Sequence, residues 1–453
     1  MLGGNAWQGG GLYIFTLLIP LFLYSHFFLY AHGQKKIITI MALCFLAIFT
    51  IFPVVNFLNY FLPLPDFLAD KPFPNIPIKS MASSHFSSSL LATSLFLLLF
   101  AYLCGRQPSF GKEKLHADFP TPSRSKEENN YAQRGFKTFT QGMLLASVIL
   151  AIYILIQHFT GFDYKGKNFL LSSSKQFIST KNYRVIGFFG HPLSLASASL
   201  AILCFFWSLF CMSINSTRYS LPIFKQNKQY FFVISLIHMI GIILSGSRSS
   251  LCVAIFIILC SPLIFLQKRI LMSGKTLVLS IAGTSGGLLL CLSVGIFARF
   301  KELEQLWQAG NLDRLKFWTV YTKMFLDRPF LGHGHAWIKY FSRDYYYIEL
   351  GMKGIERKYN AHNLYLEVLA NIGLIGAGII SLAFLCFLKQ LKNLCQSKNQ
   401  IFLFYAFSMA LAGNLINGLT QNTYFDSNVL YIYIFFFWFM FWQQLTSQPI
   451  HNA

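Results

Sequence analysis

Charged residues are scarce in this sequence, and acidic residues are the scarcest. Charged side chains make up 12% of the 453 residues, whereas soluble domains carry about 25%. The 16 Asp and Glu residues are outnumbered by 37 Lys and Arg residues, and 55% of the chain is hydrophobic. This composition argues against a soluble globular enzyme, a disordered chain and a nucleic-acid-binding module. It favours a polytopic membrane protein.

Signatures of several other chemistries are also missing. The sequence has no P-loop, no GxGxxG motif and no CxxC pair, and its nine cysteines lie mostly inside apolar runs. It has no pair of acids of the kind that a glycosidase uses. His333 and His335 flank Gly334 without an accompanying carboxylate pair, so we predict no metal site. We therefore expect neither a nucleotide cofactor nor a metal.

Apolar runs of membrane-spanning length divide the chain. Because a transmembrane helix needs about 20 residues, the sequence predicts an all-α, polytopic integral membrane protein with about 11–12 transmembrane helices. The predicted spans lie at 12–32, 37–55, 86–104, 139–159, 190–212, 230–246, 250–267, 276–297, 363–388, 400–419 and 428–445. The predicted organisation has three parts. These are N-terminal transmembrane helices with short loops over 1–297, one long loop over 298–362 and C-terminal transmembrane helices over 363–453.

Basic residues in alternate loops predict the orientation. Lys and Arg cluster after the first, third, fifth, seventh and ninth spans, and short basic loops mark the cytoplasmic side. The 298–362 loop then faces outside, where it carries 11 basic and seven acidic residues. A basic outer surface suits an anionic ligand such as phosphate or pyrophosphate. A solvated loop beside anionic lipid headgroups would have the same composition.

The long loop carries signs of local structure. Apolar residues recur at helical spacing from Leu312 to Phe325, and Pro329 followed by a Gly-His-Gly sequence predicts the end of that helix and a turn. The aromatic cluster at 345–347 suits either contact with sugar rings or a position at the membrane interface.

Arg248 is the first candidate for chemistry. It lies in a Ser-Gly-Ser-Arg-Ser segment between the spans 230–246 and 250–267, which predicts a tight helical hairpin. An Arg near membrane depth is costly and usually functional, and its planar guanidinium can hold phosphate oxygens in pairs. The Ser247 hydroxyl and the N-terminus of the next helix would add hydrogen-bond donors. Alternatively, Arg248 extends to the membrane interface without a function in binding.

His362 is the second candidate, since it lies where the long loop returns to the membrane. Histidine can act as a general base near neutral pH. A structural His at a helix start is the alternative. Gly373 and Gly376 follow at a distance that predicts close helix packing.

Two further arginines complete the set of candidates. On a helix Arg314 shares a face with Trp318, and it could hold a second phosphate or form an ion pair with Asp313. Arg184 lies shortly before a Gly-Phe-Phe-Gly-His-Pro sequence and is another phosphate candidate.

Together these motifs resemble the O-antigen ligase and O-antigen polymerase superfamily of bacterial envelopes, and are most similar to the ligases. The motifs are Ser-Gly-Ser-Arg248-Ser, Asp313-Arg314-x3-Trp318, Asp327-Arg328-Pro329-x2-Gly332-x-Gly334 and His362-Asn363-x9-Gly373-x2-Gly376. The resemblance is strongest from about 184 to 380. Their order, with a long outer loop before the His-Asn pair, carries the resemblance more than any single motif.

The resemblance implies an all-helical fold of the lipid-phosphosugar glycosyltransferase type. An O-antigen ligase transfers a glycan from undecaprenyl pyrophosphate to a sugar hydroxyl of lipid A–core in lipopolysaccharide biosynthesis. The implied place is the bacterial inner membrane, with the active site facing the periplasm, and no cofactor is implied. Carried over by motif, Arg248 and Arg314 would hold the pyrophosphate and His362 would activate the acceptor or position the donor. The remaining residues expected to bind substrate are Arg184, Ser247, Trp318, Arg328 and Asn363.

Other functions stay open at this point. A polymerase would use the same donor with a second lipid-linked glycan as acceptor, and the motifs separate it poorly from a ligase. A protein oligosaccharyltransferase is less favoured, because such relatives usually carry an additional C-terminal region. A transporter of a lipid-linked anion predicts repeats and charges near the middle of the membrane, and a channel predicts a charged ring or filter motif. Neither pattern occurs in the sequence.

Overall fold

The described residues of the computed structural model are 122–162, 183–189, 191–214, 222–267, 313–339, 343–351, 360–395, 398–421 and 427–446, with 51, 54, 55, 58 and 59. Within these ranges the regular structure is helical and no strand occurs. The predicted all-α fold is confirmed.

The helices are numbered here in chain order. They are α1 (Pro122–Thr160), α2 (Pro192–Ile214), α3 (Pro222–Ser245), α4 (Arg248–Gln267), α5 (Asp313–Asp327), α6 (His335–Trp337), α7 (Arg343–Glu349), α8 (Leu364–Leu394), α9 (Lys398–Asn417) and α10 (Ser427–Thr446). The helix predicted in the long loop is α5, which ends at Asp327, two residues before the proline expected to stop it.

Five of these segments are long and apolar enough to cross a membrane: Arg134–Thr160, Pro192–Ile214, Gln226–Ser245, Leu364–Asn393 and Gln400–Asn417. Each overlaps a predicted span, and the runs predicted at 250–267 and 428–445 are also helical. The runs at 12–32, 86–104 and 276–297, and nearly all of 37–55, lie outside the described residues. Helix α1 begins at Pro122, well before the span predicted at 139–159.

One face of α1 is apolar and exposed. Leu145, Ile149, Ile152, Ile156 and Phe159 recur every three or four residues, and each is at least 44% exposed. Water would penalise so large an apolar stripe, whereas lipid would not. This exposure supports a membrane-embedded helix.

The described chain forms two compact units. The first, called the Arg248 unit, comprises Tyr131–Leu312 and Lys398–Phe437. Its central helix is α2, which is buried along nearly its whole length. Because α2 is apolar on every side, it suits a position enclosed by other helices; Phe205 of α2 stacks on Phe436 of α10 with ring centroids 4.2 Å apart.

The second, called the His362 unit, comprises Met1–Asn130, Asp313–Ser397 and Trp438–Ala453. Its described core, called the loop core, joins α5, α7 and the start of α8. It contains Phe317, Val320, Tyr321, Met324, Trp337, Ile338, Tyr346, Tyr347, Ala361 and Ala370. Tyr346 and Tyr347 are buried in this core, so neither position suggested for them, against sugar or at the membrane interface, is correct. Their rings supply packing instead.

The span predicted at 363–388 is not one continuous helix. Gly373 has φ 63° and ψ −170°, which divides α8 into residues 364–372 and 374–394. At about 1.5 Å per residue the second part alone is about 31 Å long, close to the thickness of a bilayer core. Gly373 therefore permits a break in the helix, whereas the sequence suggested that it allows close helix packing.

Candidate functional site

Arg248 is the first residue of α4, and it follows a two-residue turn from α3. Gly246 adopts φ 67° in that turn, a conformation that glycine tolerates without strain. The carbonyl of Ser247 accepts the N–H of Leu251 at 3.1 Å, which opens the first turn of α4. The half-buried Arg248 thus lies at a helix N-terminus, where backbone N–H groups and the helix dipole favour an anion. The predicted tight turn between the two helices is present.

The two serines that flank Arg248 are held by one buried amide. Gln421 donates from Nε2 to Ser247 Oγ and to Ser249 Oγ, both at 2.6 Å. Ser247 Oγ in turn donates to Ser250 Oγ at 3.0 Å. The Ser247 hydroxyl is therefore committed to fixing the turn, and it contributes to any ligand site mainly by placing its neighbour.

A polar network continues from Gln421 into the Arg248 unit. Asn417 donates to Ser197 Oγ at 3.1 Å, and Asn414 donates to the Ser197 carbonyl at 3.2 Å and to the Tyr433 hydroxyl. We did not predict Asn414, Asn417 or Gln421 from the sequence. A signal was present, because amide side chains one turn apart on an apolar helix, as at Asn414 and Asn417, need partners in the absence of water.

Arg184 joins the same turn as Arg248. Its Nε donates to the carbonyl of Ser245 at 2.9 Å, and Val185 N donates to the carbonyl of Leu244 at 3.2 Å. The segment that carries Arg184 is fixed from its other side by Gln157, whose Oε1 accepts Ile186 N at 3.2 Å and Gly187 N at 2.9 Å. The structure thus brings two predicted arginines to the 245–248 turn.

His362 lies at the start of α8 in the His362 unit. It has φ 48° and is the only non-glycine residue with a positive φ among the described residues. Its backbone N–H donates to Asn360 Oδ1 at 3.2 Å, and its ring lies 5.9 Å from the ring of Phe317 on α5. A non-glycine residue in this conformation costs about 1–3 kcal/mol, and such residues cluster at functional sites.

Asn363 caps the helix that follows His362. Its Oδ1 accepts Tyr365 N at 3.0 Å and Leu366 N at 3.1 Å, two of the N–H groups that a helix start leaves unpaired. The sequence suggested a substrate-binding role for Asn363. The described contacts give its oxygen a structural role.

Arg314 and Trp318 lie on α5, the helix that packs against His362 through Phe317. Arg314 is exposed at the start of this helix, and Trp318 follows one turn later and is half-buried. Trp318 Nε1 is buried and has no hydrogen-bond partner among the described residues. The structure therefore brings Arg314, Trp318 and His362 to one region of the His362 unit.

Arg328 is partly buried at the end of α5, where its guanidinium donates to Asn59 Oδ1. Burial lowers the pKa of Arg328. Beside it, His333 Nε2 donates to the Met324 carbonyl at 2.9 Å. Burial lowers the pKa of His333 to about 3, and the positive charge of Arg328 adds to this effect. Arg328 thus belongs to a polar cluster beside the loop core.

The described residues contain no group of three or more His, Cys, Asp or Glu side chains able to hold a metal ion. His333 is buried and His335 is half-buried beside the loop core, and desolvation lowers the pKa of His335 to about 4. Their bonds and burial give these histidines structural roles.

Together, the apolar helices indicate a multi-pass membrane protein in which Arg248, Arg314 and His362 lie at or beside helix starts. Residues 231–381, about a third of the chain, match the family described as O-antigen ligase. The matched part contains Arg248, Arg314, Arg328 and His362, while Arg184 lies before it. No curated protein matches the chain. Over residues 231–381, the match bears out the resemblance to the O-antigen ligase and polymerase superfamily and points to a glycosyltransferase-type enzyme.

Proposed function

We propose that this protein is an O-antigen ligase that transfers a glycan from undecaprenyl pyrophosphate to a sugar hydroxyl of lipid A–core. The reaction would occur at the periplasmic face of the bacterial inner membrane and needs no metal or nucleotide. The family match over 231–381 supports this proposal in general terms. The observation that most directly supports it is the conformation of His362, because a strained residue held by several neighbours is typical of a functional position.

The chemistry forms one bond and breaks one bond at the anomeric carbon. The acceptor hydroxyl oxygen forms a bond to the anomeric carbon. At the same time the bond between the anomeric carbon and the pyrophosphate oxygen breaks. We propose that His362 takes the proton that the hydroxyl loses, which is the role of a general base. Direct attack inverts the anomeric configuration, and a product with retained configuration would contradict it.

The leaving pyrophosphate gains negative charge as the bond breaks. We propose that Arg248 and Arg314 each donate hydrogen bonds to its oxygens, because fixed guanidinium groups stabilise developing charge more in the transition state than in the ground state. The helix N-terminus at Arg248 adds backbone donors. Arg184, whose Nε donates to the Ser245 carbonyl, would add a second positive charge beside Arg248.

The other candidates receive lesser roles. Ser247 would set the Arg248 turn, and Asn363 would set the helix start after His362, as their hydrogen bonds indicate. Trp318 would present its ring to the sugar of the donor, and Arg328 would act from the base of α5 on substrate phosphate.

The decisive test is a lipopolysaccharide gel of a strain lacking the protein, complemented with wild type, Arg248→Ala or His362→Ala. We expect the uncomplemented strain to accumulate long glycans on undecaprenyl pyrophosphate together with bare lipid A–core. Wild type should restore the ladder and neither variant should. A core that carries a single repeat unit would instead identify a polymerase, and a normal ladder would point to protein glycosylation or transport.

A further inference from the structure

The segment around His362 must be held by its neighbours, because its left-handed backbone conformation is unfavourable for a residue with a Cβ atom. Asn360 supplies one restraint, since its Oδ1 accepts the N–H of His362 at 3.2 Å. Phe317 supplies a second by lying against the imidazole ring. These contacts act on His362 itself and leave the residues before and after it to be fixed by others.

Glu367 restrains the residues on either side of His362, which are Ala361 and Asn363. Its Oε2 accepts the N–H of Ala361 at 2.9 Å, and its own backbone N–H donates to the carbonyl of Asn363 at 3.0 Å. The side chain and the main chain of one residue thus restrain both sides of His362. Because Glu367 lies in the first turns of α8, its negative charge is also favoured by the helix dipole.

The Glu367 carboxylate is buried, with 5% of the residue exposed. A buried carboxylate is costly unless hydrogen bonds or opposite charges compensate it. The charge of Glu367 also acts on Tyr321 in the loop core. Burial raises the pKa of Tyr321 well above its usual range, the negative charge of Glu367 raises this pKa further, and Arg343 lowers it. A carboxylate at this costly position suggests a task beyond packing.

We infer that Glu367 is a positioning residue that holds the 361–363 segment so that the His362 imidazole meets the acceptor hydroxyl. The carboxylate does not touch the substrate; it acts through Ala361 and the backbone on either side of His362. This inference rests on the proposed function, in which His362 is the base.

The test uses the purified full-length protein with donor and lipid A–core extracted from a strain that lacks it. Glu367→Met keeps the side-chain volume and removes the acceptor, and Glu367→Gln keeps an acceptor for Ala361 N. We expect Glu367→Met to lower kcat about 10- to 100-fold with an unchanged KM for the donor, because a displacement of about 1 Å can cost that much. Glu367→Gln should recover most of the rate.

A double variant separates positioning from a general effect on the fold. If Glu367 acts only through His362, Glu367→Met should cost nothing further in a His362→Ala background. An additional loss there, or a Glu367→Gln variant as slow as Glu367→Met, would overturn the inference. So would an unchanged kcat in Glu367→Met while His362→Ala lowers kcat strongly to a measurable residual rate. Full activity of His362→Ala would contradict the proposed base instead.

A second measurement does not depend on transfer. The rate at which diethyl pyrocarbonate modifies His362, followed by mass spectrometry, reports how the ring is held. Glu367→Met should change this rate at least about threefold, a factor that corresponds to a modest shift in local opening, whereas Glu367→Gln should not. An unchanged rate in Glu367→Met would overturn the inference even if no transfer were observed. Unfolding temperatures of each variant check that the protein is folded.

Discussion

The backbone of Phe330 occupies the space that a Cβ atom on Gly373 would need. Around this contact the 329–334 turn bonds to both halves of α8. His333 N and Gly334 N donate to the carbonyls of Ala370 and Asn371 at 2.8 and 2.7 Å, and the Pro329 carbonyl accepts Leu374 N at 2.8 Å. The turn thus replaces hydrogen bonds that the helix break removes, so the break costs little inside the His362 unit.

Replacing Gly373 with Ala should therefore destabilise the protein by at least about 3 kcal/mol, because it adds both a clash and an unfavourable positive φ. The measurement is the unfolding temperature and yield of the purified protein. Gly378→Ala is the matched control, since no atom lies within 4 Å of its added Cβ, and alanine favours a helix by up to about 1 kcal/mol. Equal behaviour of the two variants would contradict this account of the break.

The sequence predicted the helices well because their apolar runs are long and uninterrupted, as the full burial of α2 illustrates. It also predicted the tight turn before Arg248, because only a few residues separate two such runs. It missed the break at Gly373, because the turn that compensates it lies about 40 residues earlier in the chain. Gln421 was missed for a similar reason: its partners, Ser247 and Ser249, are distant in sequence.

The cap at α8 provides a second prediction. Asn363→Ala removes the acceptor for two backbone N–H groups, and we expect a loss of about 1 kcal/mol in stability. Asn363→Asp keeps the acceptor and should restore both stability and transfer. An Asp variant that is stable yet inactive would show that the Asn363 amide group acts on substrate directly.

The amide that holds the Arg248 turn gives a third prediction. Gln421→Met should lower stability by about 1–3 kcal/mol, because it leaves the buried hydroxyl of Ser247 and the half-buried hydroxyl of Ser249 without their donor. Glycan transfer should fall as well, because the first turn of α4, which positions Arg248, would no longer be held in place. The control is Gln226→Met on α3, where the side chain is exposed. A Gln421→Met variant as stable and active as this control would contradict the role given to the amide.

Acid should destabilise the loop core through His333. Burial lowers the pKa of His333 to about 3, whereas an unfolded His has a pKa of about 6.5. The unfolded state therefore binds a proton that the folded state does not, and stability is lost as the pH falls below about 6.5. At pH 5 this one group costs about 2 kcal/mol. We expect the unfolding temperature of His333→Gln to depend less on pH between 7 and 5 than that of wild type; parallel curves would contradict this assignment.

The substitution Arg248→Lys distinguishes an arginine that binds phosphate from one that only lies at the membrane interface. Both Arg and Lys extend a charge to the membrane interface, so an interfacial residue should tolerate Arg248→Lys with full transfer. Lys lacks the planar guanidinium that binds two phosphate oxygens together. We therefore expect Arg248→Ala to lower transfer by about 100-fold or more and Arg248→Lys to recover only part of it. Arg134→Ala, an exposed arginine on α1, is the control and should transfer normally. Full recovery by lysine would assign Arg248 to the interface and leave phosphate binding to Arg184 and Arg314.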